Sequence, residues 1–394
     1  MSGAPADVDL AIVGAGATGL FLAAAAVRAG ARVALLEERD APTRHSRAIG
    51  IHPPGLAALD RLGVADTLRA QGVEVVRGHA SAGDARSGVR PLGVLDFGRT
   101  LPDPYRFVLT VPQHRTEAAL EDALARVAPD ALRRGVRVDG WRDDGEGVTL
   151  ALVASDGRAT LRAGLVVACD GARGGAAERL GVPVDGGRYG DVYLMGDLVD
   201  DVGGPGGTPL GSDAAIHLAP DGVVEAFPLP GGVRRWVVKT ASRLEADDPR
   251  VLTDLVAARA GVRPDPEGAT MLSSFGVQRR LPRRLTVGRV WLAGDAAHVV
   301  APIGGQGMTL AWLGAESLVA GWRAHAEGRT SLREAADAYD AVQRRRTRQA
   351  VARAAWNLRM GRATRWDAAR GLLVRALLTP PLAGRMARTF TMQA

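Results

Sequence analysis

The 394-residue chain carries 50 Lys and Arg against 43 Asp and Glu, for a net charge of +7, and has one cysteine, Cys169. One cysteine excludes a disulfide framework and a cysteine-based metal cage, and we predict no metal site. No apolar run reaches the roughly 18 residues of a membrane-spanning helix. The start, MSGAPADVDL, lacks the basic and apolar regions of a signal peptide, so we expect a cytoplasmic protein.

The N-terminal part of the chain predicts an α/β domain. Residues 8–13, VDLAIV, form a short apolar strand, residues 17–29 have helical character, and residues 32–36, RVALL, form a second strand. Strand, helix and strand over about 30 residues are typical of a βαβ unit. Further helices are predicted over 53–62 and 114–127.

Strands dominate the middle of the chain. Residues 135–168 predict a β-meander that ends in an apolar strand, and 188–241 predict further strands separated by Gly/Pro turns. This second group indicates a second sheet inserted within the first domain. An apolar strand at 289–293, RVWLA, returns to the first domain, and the chain after Gly307 is predicted to be helical almost to its end.

The first motif is GAGATG, in which Gly14, Gly16 and Gly19 form G-x-G-x-x-G between a strand and a helix. The glycines permit a tight turn, close approach of a pyrophosphate and packing of the helix on the sheet, and the helix N-terminus favours an anion. Glu37 ends the second strand, where a carboxylate accepts hydrogen bonds from a ribose. The strand and helix on either side make this pattern more specific than the glycines alone.

Two further motifs also follow apolar strands. CDGAR at 169–173 and GDAAH at 294–298 place Asp170 and Asp295 at the carboxyl ends of strands, where the ligands of α/β sheets collect. The loop at 302–307, PIGGQG, then leads into a helix and offers N–H groups to an electron-rich, partly anionic group. We interpret this stretch as the site for a second portion of a long cofactor that the first motif already holds.

Taken in order along nearly the whole chain, GAGATG, CDGAR and GDAAHVVAPIGGQGMTLA resemble the motifs of the group A flavoprotein monooxygenases, which have the p-hydroxybenzoate hydroxylase fold. Two more segments are similar to that family. SRAIGIHP at 46–53 implies that Arg47 lies near the FAD pyrophosphate, and VPQHRTEAAL at 111–120 implies that Gln113 contacts FAD.

The resemblance implies an α/β fold with a Rossmann-like, glutathione-reductase-type FAD-binding domain, an inserted antiparallel-sheet substrate domain and a C-terminal helical segment. The predicted parts are FAD-binding 1–75, 105–185 and 281–325, substrate domain 76–104 and 186–280, and C-terminal helices 326–394. The predicted FAD contacts are Gly14, Gly16, Gly19, Glu37, Arg47, Gln113, Asp170, Asp295, Pro302, Gly304, Gly305, Gly307 and Met308.

The resemblance also implies an activity. NAD(P)H reduces FAD, O2 forms a C4a-(hydro)peroxyflavin, and an oxygen atom is transferred to an apolar aromatic or polyketide-like small molecule, in secondary metabolism or aromatic degradation. The predicted catalytic residues are Pro302, which stiffens the loop over the flavin, and Arg47. The predicted substrate residues on the inserted sheet are Tyr193, Met195, His217, Phe227 and Trp236.

Two departures from the family pattern keep alternatives open. After the DG motif the family has a serine and then an arginine, where this chain has Gly174 and Ala177; that part is linked to NAD(P)H use. Thr309 replaces an asparagine after the glycine loop. The alternatives are an FAD-dependent oxidoreductase that inserts no oxygen, and an inactive flavin-binding partner protein.

The C-terminal segment is strongly basic. From Arg344 to Arg388 there are twelve arginines and one acid, Asp367, with apolar residues interleaved. Contact with an anionic membrane is one interpretation, and a helix that packs on the FAD domain with its arginine stems along apolar surface is the favoured one. We predict no nucleic-acid partner, because the run RRR at 344–346 does not indicate one without stacking aromatic residues nearby. We expect a monomer or homodimer.

Overall fold

The computed structural model describes residues 6–42, 48–200, 208–245 and 247–393, and the statements below concern these residues. The strands are β1 Val8–Val13, β2 Val33–Leu36, β3 Gly50–Ile51, β4 Val73–Val75, β5 Arg77–Ala82, β6 Arg90–Asp96, β7 Val108–Thr110, β8 Leu132–Arg133, β9 Arg137–Asp143, β10 Val148–Ala154, β11 Gly157–Ala168, β12 Val184–Val199, β13 Ala214–Ala219, β14 Gly222–Leu229, β15 Val233–Thr240, β16 Met271–Pro282, β17 Thr286–Val287 and β18 Val290–Leu292. The helices are α1 Ala17–Arg28, α2 Pro53–Asp60, α3 Ala65–Gln71, α4 Phe97–Thr100, α5 Gln113–Val127, α6 Ala176–Arg179, α7 Pro249–Ala260, α8 Gly307–Ala326, α9 Leu332–Gly361, α10 Asp367–Leu377 and α11 Leu382–Phe390.

The first sheet contains the predicted βαβ unit. Its order is β17-β18-β11-β1-β2-β8, with β1 parallel to both β11 and β2, and β10 and β9 continue it antiparallel from β11. Leu10 and Ile12 of β1 pack on the α1 side, and Ala11 packs on the opposite side in a second apolar cluster. A central strand buried on both faces is a continuous apolar run, which is what VDLAIV supplies. The α/β prediction is confirmed.

The second sheet has the order β16-β12-β15-β14-β13-β5-β6 and is antiparallel except for the β13–β5 pair. Its inner face carries Tyr193 and Met195, which pack with Ala301 and Ile303 of the loop before α8. Its outer face carries Trp236, which packs on α7. Strands β5 and β6 join this sheet from the upstream segment 76–104, which the resemblance assigned to the substrate domain without predicting its strands. Helix α7, which the sequence patterns did not predict, covers the sheet.

The C-terminal helices pack against the second sheet and the loop before α8. Helix α9 begins with a capping box, in which Ser331 and Glu334 hydrogen-bond each other's backbone amides. Farther along, α9 places Ala354 and Leu358 on the inner face. Arg362 at its end pairs with Asp191 of β12 at 2.7 Å. Helix α9 packs on α8, within the part of the chain predicted to bind FAD, as the favoured interpretation expected, whereas α10 and α11 pack on the second sheet and α4. None of the described helices has the length and apolar character needed to cross a membrane.

Candidate functional site

The predicted motifs meet along one edge of the first sheet. Strands β18, β11, β1 and β2 are adjacent and parallel, so their carboxyl ends lie side by side. Asp295, Asp170, Gly14 and Glu37 follow these four strands in that order across the edge. Residues from four distant parts of the sequence therefore form a continuous strip, at the place where parallel α/β sheets bind their ligands.

The first glycine loop is closely packed against backbone atoms, both its own and those that follow β11. Gly14 has a φ of +103°, and a Cβ there would lie 2.4 Å from the carbonyl oxygen of Cys169. A Cβ on Gly19 would lie 1.9 Å from the carbonyl oxygen of Gly14. A Cβ on Gly16 would meet nothing nearer than 3.8 Å. Gly14 and Gly19 are thus required by the fold, whereas Gly16 leaves open space where a ligand can approach the backbone.

Glu37 is tied to the glycine loop. One carboxylate oxygen accepts the Ala15 amide at 2.7 Å, and the other accepts Arg39 Nε at 2.7 Å. Although burial disfavours its charged form, these hydrogen bonds hold the pKa of Glu37 below its usual range. The carboxylate is ionised at neutral pH and stands ready to accept further hydrogen bonds.

A second carboxylate, which the sequence analysis did not select, lies at the N-terminus of α1. Glu117 Oε1 accepts the Ala17 amide at 3.2 Å and the side-chain amide of the predicted ligand Gln113 at 2.8 Å. Burial raises the pKa of Glu117. Its signal was present in VPQHRTEAAL, because Gln113 and Glu117 are four residues apart and share one face of α5.

The second motif places Asp170 beside α6. Its Oδ2 accepts the Ala176 amide at 3.1 Å, whereas its buried Oδ1 has no partner among the described residues, and burial raises the pKa of this carboxyl. A Cβ on Gly174 would lie 2.0 Å from Asp170 Cγ. The departure at Gly174 therefore permits this position of Asp170, because a serine there would displace the carboxyl group.

Asp295 of the third motif opens onto the same narrow cleft as Asp170. The cleft is also lined by Gly171, Glu178 and Arg280. The Asp295 carboxylate has no hydrogen-bond or ion-pair partner in the described part of the chain. The residue is exposed to the cleft, but nearby protein atoms displace part of the water around its carboxylate, and this desolvation raises its pKa. Arg280 is held by the Ala172 carbonyl at 2.5 Å and by Glu178.

The loop after Asp295 is a rigid turn that leads into α8. The Gly305 amide donates to the Pro302 carbonyl at 2.9 Å, and Pro302 itself is exposed. Gly304 and Gly305 have φ values of +94° and +64°, which a side chain would disfavour. Gln306 is buried and bonded on both sides, accepting Arg353 Nε at 3.0 Å and donating to the Phe390 carbonyl at 3.2 Å.

His52 contacts this loop through a hydrogen bond from its ring. Its Nε2 lies 2.8 Å from the Gly304 carbonyl oxygen, to which it donates, and its ring packs edge-on against Phe390. Burial lowers the pKa of His52 to about 4, and Arg353 adds to the effect, so the ring is neutral at pH 7. The His52 amide donates to Thr309 Oγ1 at 3.3 Å. The threonine that replaces the family's asparagine thus contacts the start of α2.

His298 of GDAAH is buried and lies behind the loop. Its Nε2 is 2.7 Å from Gln343 Nε2, and burial lowers its pKa to about 4. This placement is that of a packed, neutral histidine. Arg47 lies outside the described residues, as does the rest of 43–47.

The second sheet separates the five predicted substrate residues. Tyr193 and Met195 on β12 and Phe227 on β14 share the inner face. Trp236 packs on the outer face with α7, and His217 lies opposite the outer-face residue Val224. His217 is also engaged locally, with Ser81 Oγ at 2.8 Å and the Gly83 carbonyl at 2.9 Å. We therefore carry only the three inner-face residues into the candidate substrate site.

The residues at the sheet edge fit FAD. Gly16 leaves room at the α1 N-terminus for a pyrophosphate, Glu37 offers a carboxylate for a ribose, and the partnerless oxygens of Asp170 and Asp295 face one cleft. The N-terminus of the 20-residue helix α8 would face the flavin end. In the described residues no group of His, Cys, Asp and Glu has the arrangement to bind a metal ion.

Comparison with known proteins agrees with this chemistry. Residues 7–354 match a family model described as FAD binding domain. A rifampicin monooxygenase of Streptomyces venezuelae is 34% identical over 323 residues, which are 81% of this chain and 64% of that protein. A 12-dehydrotetracycline 5-monooxygenase/anhydrotetracycline 6-monooxygenase of Streptomyces rimosus is 31% identical over 351 residues, 85% of this chain and 66% of that protein. The chain thus spans less than two thirds of these relatives.

Solved structures agree as well. The anhydrotetracycline hydroxylase OxyS from Streptomyces rimosus superposes with a TM-score of 0.78 at 27% identity, over 98% of this chain and 76% of that one. The p-nitrophenol 4-monooxygenase PnpA from Pseudomonas putida shares the fold, with a TM-score of 0.86 at 23% identity over 98% of both chains. These matches confirm the resemblance drawn from the three motifs: the chain belongs to the FAD-binding-domain family, and its cofactor is FAD.

Proposed function

We propose that the protein is an FAD-dependent monooxygenase that uses NAD(P)H and O2 to oxygenate an apolar aromatic or polyketide-like small molecule. One observation carries the proposal. The loop between Asp295 and α8, which begins at the edge of the first sheet, places Ala301 and Ile303 against the apolar inner face of the second sheet. The sheet edge that we propose to bind FAD and the inner face of the second sheet therefore meet at residues 301–303. The relatives described above, a rifampicin monooxygenase and a tetracycline-pathway monooxygenase, support this substrate class.

When bound, FAD would supply the redox chemistry that couples oxidation of NAD(P)H to transfer of one oxygen atom from O2. The chain's own part is to bind, orient and exclude water. The α8 N-terminus has free N–H groups and the positive end of the helix dipole, which stabilise negative charge on the reduced cofactor. His52 and Gln306 hold the loop in place through the Gly304 carbonyl, Arg353 and Phe390.

Water exclusion is the task of the inner face and α9. Tyr193, Met195, Ala354 and Leu358 are buried in one apolar cluster beside Ile303. An apolar wall at this position favours an apolar substrate and keeps solvent from the reacting oxygen. Pro302 lies exposed at the tip of the loop, and we propose that it contacts the flavin face.

The test is an anaerobic absorbance experiment on the FAD-loaded protein. NADPH or NADH is added with and without a panel of hydroxylated polycyclic aromatics, and O2 labelled with ¹⁸O is then admitted. Faster bleaching with one compound, followed by a product that carries one ¹⁸O atom, supports the proposal. Bleaching by a substrate without NAD(P)H, and no labelled product, would indicate the oxidoreductase alternative. A protein that binds FAD but is not reduced under any condition would indicate an inactive flavin-binding partner.

A further inference from the structure

One buried acid on the inner face has no structural partner. Glu225 lies on β14, opposite Val237 of β15 and Ile216 of β13, and it is 6% exposed. Both cross-strand neighbours are apolar, and Val237 belongs to the same cluster as Tyr193 and Met195. No hydrogen bond or ion pair to the Glu225 carboxylate is found within the described residues. An unpaired carboxylate in such surroundings is costly, so its presence calls for a ligand.

The neighbouring cations are bound to groups other than Glu225. Lys239 and Arg362 both bind Asp191, at 3.1 Å and 2.7 Å, and Arg235 binds Asp197 at 2.6 Å. These are the charged groups of the inner face near Glu225. On the helices packed against that face, Arg353 contacts Gln306, and Arg370 pairs with Asp367. Burial raises the pKa of Glu225 to about 7, with no charged partner to oppose it.

A second polar group on the same face is also without a partner. Tyr193 is fully buried, stacks on Phe275 with ring centroids 5.7 Å apart, and has a hydroxyl group with no hydrogen bond. Burial raises the pKa of Tyr193, and the nearby charge of Glu225 adds to that shift. Strands β12 and β14 flank β15, where Tyr193 lies opposite Lys239 and Glu225 lies opposite Val237. Two strand spacings across the sheet and two residues along it separate the two positions by about 12 Å. A fused polycyclic aromatic is long enough to contact both.

We propose, resting on the proposed function, that Glu225 is the acid–base residue of the substrate site and Tyr193 its hydrogen-bonding counterpart. The O–H bond of an aromatic hydroxyl on the substrate breaks, its electron pair stays on the substrate oxygen, and the proton moves to the Glu225 carboxylate. Tyr193 hydrogen-bonds a second substrate oxygen. The electron-rich phenolate is then the form presented to the cofactor loop. The substrate class is a polycyclic aromatic that carries at least one hydroxyl group.

The geometry and the acidity of Glu225 agree with this role. A carboxyl group with a pKa near 7 exchanges protons effectively at neutral pH, because both of its forms are populated there. A carboxyl with the ordinary pKa would be a much weaker base toward a phenol. The sheet therefore positions this residue and also, by burying it, tunes its basicity.

The test uses FAD-loaded, oxidised protein and 2-hydroxyanthraquinone, whose phenol and phenolate differ in visible absorbance. The variants are Glu225→Gln, which keeps size and removes the base, and Tyr193→Phe. The control is Glu267→Gln, which removes an exposed glutamate on the far loop before β16. In the wild type and the control, bound phenolate should appear as pH rises through about 7. In Glu225→Gln its appearance should shift upward by at least one pH unit. If bound phenolate appears over the same pH range in Glu225→Gln as in the wild type, the proposal is overturned.

Turnover gives an independent readout. For a weakly acidic phenolic substrate, kcat/KM of Glu225→Gln should fall about 100-fold and lose its limb near pH 7. The loss should shrink for a nitrophenol that is already ionised at the assay pH. Tyr193→Phe should raise KM more than it lowers kcat. If no oxygenated product forms but the probe still ionises through Glu225, the proposed function fails and this site stands. If oxygenated product forms but ionisation of the probe is the same with and without Glu225, the proposed function stands and the role of Glu225 is overturned.

Discussion

Glu117 provides a direct test of the charge balance at the pyrophosphate site that we propose at the N-terminus of α1. Its carboxylate accepts the Ala17 amide at 3.2 Å, at the helix N-terminus where a G-x-G-x-x-G loop holds phosphate. Two acceptors that share this helix end are within about 5 Å of each other. The carboxylate therefore repels the pyrophosphate, and Glu117→Gln should bind FAD more tightly.

The magnitude follows from Coulomb's law. Unit charges about 5 Å apart at an effective dielectric constant of about 20 repel by roughly 3 kcal/mol. Glu117 is only half-buried, so solvent and salt reduce this to about 1–2 kcal/mol. About 1.4 kcal/mol is a tenfold change, so the FAD Kd should fall about tenfold at pH 8. The glutamine keeps an acceptor for the Ala17 amide, so the fold loses nothing.

The assay is titration of apoprotein with FAD, followed by flavin fluorescence, from about pH 5 to 8. Because burial raises the pKa of Glu117, the wild type should lose affinity as pH rises through that pKa, whereas Glu117→Gln should not. Glu121→Gln is the control, since Glu121 lies one turn farther along α5 and pairs with Arg134. Weaker FAD binding by Glu117→Gln at pH 8 would refute the reasoning and make Glu117 a supporting residue.

Three further outcomes are expected. Gly19→Ala places a Cβ 1.9 Å from a backbone oxygen and should lower the melting temperature of the apoprotein, whereas Gly16→Ala should leave that temperature unchanged and weaken FAD binding. Asp200→Ala removes the partner of the fully buried Arg234 and should cost about 3–5 kcal/mol in urea unfolding, with much of that recovered in the double variant that also carries Arg234→Met. His298 has a pKa of about 4 in the folded protein and an ordinary pKa in the unfolded chain, so the free energy of unfolding should fall as pH drops from about 6.5 toward 4. In His298→Gln the urea midpoint should depend less on pH over that range. The same pH dependence as in the wild type would contradict the assignment.

The meeting of the three motifs at one edge of the first sheet was predictable because each motif is a local signal. A strand, a glycine or aspartate and a helix are contiguous in GAGATG, CDGAR and GDAAH, and parallel strands place their ends together wherever they fall in the sequence. Glu117 was harder, because its role depends on α5 packing beside α1. The position of Asp170 depends on the absent side chain at Gly174, which no local pattern reveals.

The substrate face was not predictable in the same way, because both faces of the second sheet are buried. Loop 301–303 and α9 cover one face and α7 covers the other, so strands such as VVEAFPL show no apolar–polar alternation that would tell the faces apart. His217 and Trp236 could not be distinguished from Tyr193 without the register. For the same reason the sequence analysis did not select Glu225. Once the register is known, a lone acid in a strand buried on both faces is the exception that the apolar core does not explain, and that makes Glu225 the residue to test first for substrate chemistry.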